Sequence, residues 1–203
     1  MTQPQNKITI YSDYICPFCY IGKDRAEKLQ QDLGDSVTIE WKMIEIHPEI
    51  PMKGVPREQI TGAYMDEVWR NVQLLSDEDN LGVNIPDMLA NSRLSFIASE
   101  YARDNGKFEE YHEALMEAYW KESLNIGNYK ILEKLGEDIG LDFSEFRDYV
   151  ANSGWEQKLQ SNMDEAREAN VMAVPSFVFN DKVVAGAIPY EKLKMAIQNE
   201  FDF

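Results

Sequence analysis

Apolar and polar residues alternate over short runs at both ends of the chain, and between these ends the spacing is helical. Ile8-Thr9-Ile10-Tyr11 is a short apolar run of strand type. Ala26, Leu29 and Leu33 then recur at helical spacing. Pro17 suits the first turn of that helix, where a missing N–H costs nothing, and Gly34 suits its stop. Val37-Thr38-Ile39-Glu40-Trp41-Lys42-Met43 alternates and predicts a second strand. Strand, helix and strand in this order form a right-handed βαβ unit with a parallel strand pair.

The middle of the chain predicts helices. Ile60, Tyr64, Val68, Val72 and Leu75 form one stripe, and Leu94, Ile97, Ala98 and Tyr101 form another that ends at Gly106. Phe108, Tyr111, Leu115, Ala118 and Tyr119 form a third. Tyr129, Leu132, Leu135 and Ile139 follow a cap at Asn128 and precede Gly140, and Ser144 is placed to cap a short helix carrying Tyr149. No strand signal occurs over roughly 57–150.

Mixed structure then returns. Leu159, Met163 and Ala166 mark a helix ending near Asn170. Val174-Pro175-Ser176-Phe177-Val178-Phe179, a turn at Asn180-Asp181, and Lys182-Val183-Val184-Ala185 predict a hairpin, which Gly186 breaks. Pro189 opens a last helix with Leu193, Ala196 and Ile197 inward. The order is βαβ followed by αββα, an α/β class. One discontinuous domain over 1–56 and 151–203, with an all-helical insertion over 57–150, accounts for the pattern better than two independent domains.

Charge narrows the partners. The chain has 20 Lys and Arg against 36 Asp and Glu, a formal net charge of −16. Phosphate binding needs a cationic surface, so nucleic acid is disfavoured, as are anionic membranes. No apolar run approaches about 18 residues, the length a transmembrane helix needs. Residues 1–7 lack an apolar core of signal-peptide type, so the protein is read as cytoplasmic. In that compartment paired cysteines serve catalysis or metal binding more often than structure.

The chain has two cysteines, and they form Cys16-Pro17-Phe18-Cys19 at the predicted strand-to-helix junction. C-x-x-C in this setting is a redox motif. Residues i and i+3 share a helix face, so the sulfurs can bond and separate. Cys16 lies at the helix start, where unpaired N–H groups and the positive end of the dipole favour a thiolate. Cys19 lies one turn in and is expected to be more buried. Cys16 would then form the mixed disulfide and Cys19 would resolve it. Phe18 adds an apolar ring and no charged donor. Three other readings remain: a structural disulfide, half of a zinc site, or two ordinary core cysteines. Zinc usually takes four ligands, and the two histidines, His47 and His112, have no ligand spacing to the pair. No metal is expected. In Val174-Pro175 the proline is restricted to an edge or a special bend. A cis bond there would leave neighbouring backbone groups free for an extended substrate, whereas a trans bond would make it an ordinary edge proline.

With these residues in view, the chain resembles thioredoxin-fold oxidoreductases of the DsbA family, closest to the FrnE-like branch. The resemblance rests on Asp13-x-x-Cys16-Pro17-Phe18-Cys19-Tyr20-Ile21-Gly22, on Asn91-Ser92 opening a helix of the insertion, and on Val174-Pro175-Ser176-Phe177-Val178 before Gly186-Ala187. It covers nearly the whole chain in order. It implies a thioredoxin fold carrying a helical insertion, Cys16 as nucleophile and Cys19 as resolving thiol. It places Pro17, Phe18 and the cis-proline loop Val174-Pro175 against the substrate and Asn91 near the site, although a helix cap is the simpler reading of Asn91. Phe18 stands where relatives often carry Trp or His, Phe96 where they often carry His, and Ala173 where Gly is frequent.

The implied activity is thiol–disulfide exchange with protein or small-molecule thiols and disulfides, as a monomer or homodimer, without a bound cofactor. The alternative is a glutathione-dependent isomerase or transferase, similar to hydroxychromene-carboxylate isomerases and kappa-class glutathione transferases, with glutathione as co-substrate. Such relatives typically replace the first cysteine with Ser and do not need the second; this chain keeps both. A chaperone-like binder using apolar surface around Phe18 is a third reading.

Overall fold

In the computed structural model, which describes residues 6–60 and 62–201, both ends of the chain contribute to one sheet. The elements in chain order are β1 (Asn6–Ser12), α1 (Pro17–Leu33), β2 (Val37–Met43), β3 (Val55–Pro56), α2 (Ala63–Asp79), β4 (Met88–Leu89), α3 (Arg93–Asp104) and α4 (Phe108–Trp120). They continue with α5 (Tyr129–Asp138), α6 (Phe146–Asn152), α7 (Trp155–Glu168), β5 (Ser176–Phe179), β6 (Lys182–Ala185) and α8 (Tyr190–Phe201).

The chain divides into two compact units. The first is Met1–Ile44 with Gln160–Phe203. Its four-stranded sheet has the order β2-β1-β5-β6. β1 and β2 pair in parallel, Asn6 opposite Val37 through Ser12 opposite Met43, as a βαβ unit requires. β5 runs antiparallel to β1, with Phe177 opposite Ile10, and β6 completes the hairpin. Asn180 turns that hairpin at φ 49°, a conformation Asn tolerates better than most residues. Ile8 and Ile10 of β1 meet Ala26 and Leu29 of α1, Phe177 of β5 and Leu193 of α8 in the core. The alternation read in β1 and the stripe read in α1 are the two sides of this layer.

The second unit is Glu45–Leu159. Among its described residues the regular structure is helical apart from the two-residue pair β3–β4, where Val55 faces Leu89 and Pro56 faces Met88. Two residues per strand leave no periodic signal. The boundaries expected at 56/57 and 150/151 fall inside this unit. Helical spacing marks where helices begin, but 45–56 is tied in by other means: Asn91 Nδ2 donates to Ile50 O at 2.6 Å and Arg93 pairs with Glu45 at 2.7 Å. The unit's aromatic centre joins Tyr101, Phe143 and Phe146, with Phe143 and Phe146 centroids 4.7 Å apart.

Two local expectations fail. The stripe from Ile60 to Leu75 is not one buried face. Gly62, at φ 138°, starts α2 after Ile60, Tyr64 is 77% exposed, and the helix buries Val72 and Ser76. Only the later part of α2 has a core to face. Ser144 is not the cap of α6; Glu145 is. The Ser144 N–H is taken instead by Asp142 Oδ1 at 2.8 Å in a side-chain turn. Asn128 does cap α5, accepting from Lys130 N at 2.9 Å. Among the described residues, no helix is long and apolar enough to cross a membrane.

Candidate active site

The end of β1 builds the site. Ser12 O accepts from Ile44 N at 2.9 Å, which holds the strand end against the segment after β2. The next residue, Asp13, is fully buried. Its Oδ1 accepts from Ile15 N at 3.1 Å and its carbonyl accepts from Cys16 N at 3.2 Å. This turn delivers Cys16 to the N-cap of α1, with an extended φ of −85° and ψ of 117°. The Cys16 carbonyl starts the helix by accepting from Cys19 N at 3.0 Å and Tyr20 N at 3.3 Å. Pro17 has no N–H to leave unpaired in this first turn.

The two sulfurs have unequal surroundings. Both are free thiols. Cys16 is 5% exposed and Cys19 is 0% exposed. Pro17 and Phe18 between them are half-buried. The Cys16 thiol donates to Val174 O at 3.7 Å. The Val174–Pro175 peptide is cis. The loop is fixed on both sides, because Pro175 O accepts from Gly186 N at 2.7 Å and Ser176 Oγ donates to Ala173 O at 2.7 Å. Gly22 makes room for it: a Cβ there would lie 2.9 Å from Pro175 Cγ. The glycine that follows Cys19-Tyr20-Ile21 therefore lets the proline ring rest on α1.

Burial pushes the Cys19 thiol well above the ordinary thiol value. Its hydrogen bond to Cys16 and the charge on Cys16 add to that, while Ser12 and the Asp13 main chain oppose it. The sign for stability follows. The folded dithiol holds the Cys19 proton more tightly than the unfolded chain does, so this stabilisation is complete below the ordinary thiol value of 9.0 and is lost as pH rises beyond it. The disulfide form has no such proton. Melting temperatures of the two forms at pH 7 and pH 10 check this: the dithiol is expected to fall further than the disulfide. An equal fall in both would contradict it.

Of the residues expected at the site, Cys16, Pro17, Phe18, Cys19, Val174 and Pro175 belong to the first unit, where Cys16 meets Val174. Asn91 belongs to the second unit. It is buried, and its Oδ1 accepts from Arg93 N at 3.0 Å at the start of α3. His112 stacks on Phe108, and His47 pairs with Glu49. Among the described residues, no group of three His, Cys, Asp or Glu is placed to hold a metal. Two neighbours of the site escaped the sequence reading. Met172, 91% exposed, stands two residues before Val174, in a segment with no periodicity to mark it. Ser12 continues the alternation of Ile8 and Ile10, and that was a readable signal.

Residues 7–198 match the DSBA-like thioredoxin domain family. The uncharacterized protein YwbO of Bacillus subtilis is 30% identical over 197 residues, which is 95% of this chain and 96% of that protein. The 2-hydroxychromene-2-carboxylate isomerase of Pseudomonas putida is 22% identical over 178 residues, 87% of this chain and 86% of the isomerase. Among solved structures, a probable DsbA oxidoreductase of Streptomyces coelicolor superposes with a TM-score of 0.86 at 22% identity, over 97% of this chain and 90% of that one. That likeness is one of thioredoxin-type fold. With the match running from β1 into α8, through the cysteine pair and the cis-proline loop, the chain belongs to the DSBA-like thioredoxin domain family.

Proposed function

We propose that the protein is a dithiol/disulfide oxidoreductase that works through a mixed disulfide on Cys16. The observation that carries this is the inequality of the two thiols: one sits at a helix N-terminus against Val174 O, the other is fully buried one turn later. The Cys16 thiolate attacks one sulfur of a substrate disulfide and the other sulfur leaves as a thiolate. Cys19 then loses its proton and attacks Cys16 Sγ, and the second substrate thiolate departs. The Cys16–Cys19 pair is oxidised by two electrons and the substrate is reduced by two. Both departing thiolates take up protons at neutral pH. The reverse sequence oxidises a dithiol substrate. Substrate protein or small thiol lies along Val174-Pro175, against Pro17 and Phe18, with Met172 adding apolar surface at the rim. Asn91 orders the start of α3 and is assigned no step in this reaction.

Trapping tests the proposal. Cys19→Ala incubated with oxidised glutathione or a peptide disulfide is expected to gain one mixed disulfide on Cys16, stable until a reductant is added and visible by intact mass. The wild type is expected to release the adduct and close its own disulfide. A variant that gains no adduct while Cys16 still alkylates would sink the proposal.

A second reading has the Pseudomonas putida isomerase behind it. In it, the chain isomerises a small molecule with glutathione as co-substrate. Cys19→Ala separates the two, since an isomerase would keep turnover and saturable glutathione binding without the resolving thiol.

A further inference from the structure

We infer that Ser12 is a positioning residue for the resolving thiol, its buried hydroxyl donating to the Cys19 sulfur when that sulfur becomes an anion. The inference rests on the oxidoreductase reading above. Its first support is the layout of the core. Ile8, Ile10 and Ser12 alternate along β1, so they share one face, and all are 0% exposed. Ile8 and Ile10 pack against Ala26 and Leu29 of α1. Cys19 lies seven residues before Ala26, on the same face two turns back. The apolar row of the strand thus ends on a hydroxyl where the apolar row of the helix ends on a thiol.

The second support is that this hydroxyl serves nothing else among the described residues. The Ser12 carbonyl accepts from Ile44 N, but Ser12 Oγ is buried and makes no hydrogen bond of ordinary geometry among the described residues; the group it acts on is the Cys19 thiol. Burying a polar group without a partner is costly, and an apolar side chain would fill the position at no such cost. In the dithiol, Cys19 hydrogen-bonds to Cys16, and Ser12 already faces the thiol on the side that favours its anion. Once Cys16 is tied up in a mixed disulfide, Cys19 must carry negative charge where it has no solvent contact. The other groups acting on it are the Cys16 sulfur, neutral in the mixed disulfide, and the Asp13 main chain. Ser12 is the side-chain donor facing it, and its presence favours the Cys19 anion. The hydroxyl keeps its own proton throughout. The Cys19 proton passes to solvent and is balanced by the proton the departing thiolate takes up. In the opposite direction the same donor steadies Cys19 as the leaving group when a substrate thiolate attacks Cys16.

The test uses the full chain and a nitroaromatic disulfide whose released thiolate is coloured. The first release reports attack by Cys16 and the second reports resolution by Cys19. Ser12→Ala is expected to slow the second release about three- to tenfold at pH 7 and to move its pH midpoint up by about one pH unit, since a less stabilised thiolate is scarcer but more nucleophilic. Above that midpoint the variant is expected to match or exceed the wild type. Ser12→Thr, which restores a hydroxyl, is expected to bring the midpoint back. Should Ser12→Ala fail to fold, the volume-matched pair Ser12→Thr and Ser12→Val gives the same comparison. A deficit equal at every pH, or an unmoved midpoint, overturns the role of Ser12 while leaving exchange intact. A wild type that shows no second release overturns the oxidoreductase reading, and the role of Ser12 with it.

Discussion

Cys16→Ser is expected to lower insulin-disulfide reduction by roughly a thousandfold or more, because the nucleophile itself is removed. A serine hydroxyl does not ionise near neutral pH, even at a helix N-terminus, and an un-ionised oxygen does not open a disulfide. The remaining thiol cannot take over. Cys19 is fully buried, its thiol is pushed well above the ordinary value, and it lies on the interior side of α1. The substitution replaces the thiol in two hydrogen bonds, to Val174 O and with Cys19, and an oxygen would reach Val174 O with small adjustment. The fold should therefore survive, which circular dichroism and the melting temperature verify alongside the turbidity assay. Retention of more than about a tenth of the activity, against a cost this size for a lost nucleophile, would place the chemistry somewhere other than Cys16.

The largest expected effect on stability lies in the second unit. Phe146→Ala is expected to lower the unfolding free energy of that unit by about 3–5 kcal/mol. Phe146 is fully buried and opens α6. Its ring lies 4.7 Å from Phe143, 5.5 Å from Tyr101 and 5.8 Å from Tyr129. Truncation loses the transfer energy of the ring, leaves a cavity among other rings, and removes aromatic pairs worth about 0.5–1.5 kcal/mol each beyond buried area. Tyr101 is held by its hydroxyl, which donates to Asp142 O at 2.6 Å, so it is poorly free to collapse into the gap. Urea unfolding followed by far-ultraviolet circular dichroism measures the loss, with Phe146→Leu as a smaller step. A loss below about 1 kcal/mol would mean that the cluster repacks around the truncation.

Much of the fold can be read from single segments, since a segment that repeats with period 2 or 3.6 needs only one buried face to make sense. β2 spans the seven residues its alternation marks, α1 stops where Gly34 stops it, and the hairpin turns at Asn180. The reading fails where local pattern lacks a tertiary counterpart. Tyr64 has helical spacing but nothing to cover it. β3 and β4 exist only because two distant dipeptides meet. Ser144 has the chemistry of a cap, but its N–H and its hydroxyl both turn to Asp142 and α6 starts one residue later.

The site divides in the same way. The sequence by itself determined the reactive pair, its spacing, its place ahead of a helix, and the proline that marks the opposing loop. Each of these is a matter of residue type and short-range position. The sequence also ordered the two thiols by burial, but the tertiary structure decided how far each is covered, leaving Cys16 5% exposed and Cys19 sealed, because burial depends on what packs over a residue rather than on its neighbours in the chain. The structure also decided that Cys16 faces Val174, across a separation of 158 residues, and that the Ser12 hydroxyl ends the strand's inner row facing the Cys19 thiol. Hydrogen bonds of that kind depend on register between segments, and register is set only when the sheet and α1 close on a common core.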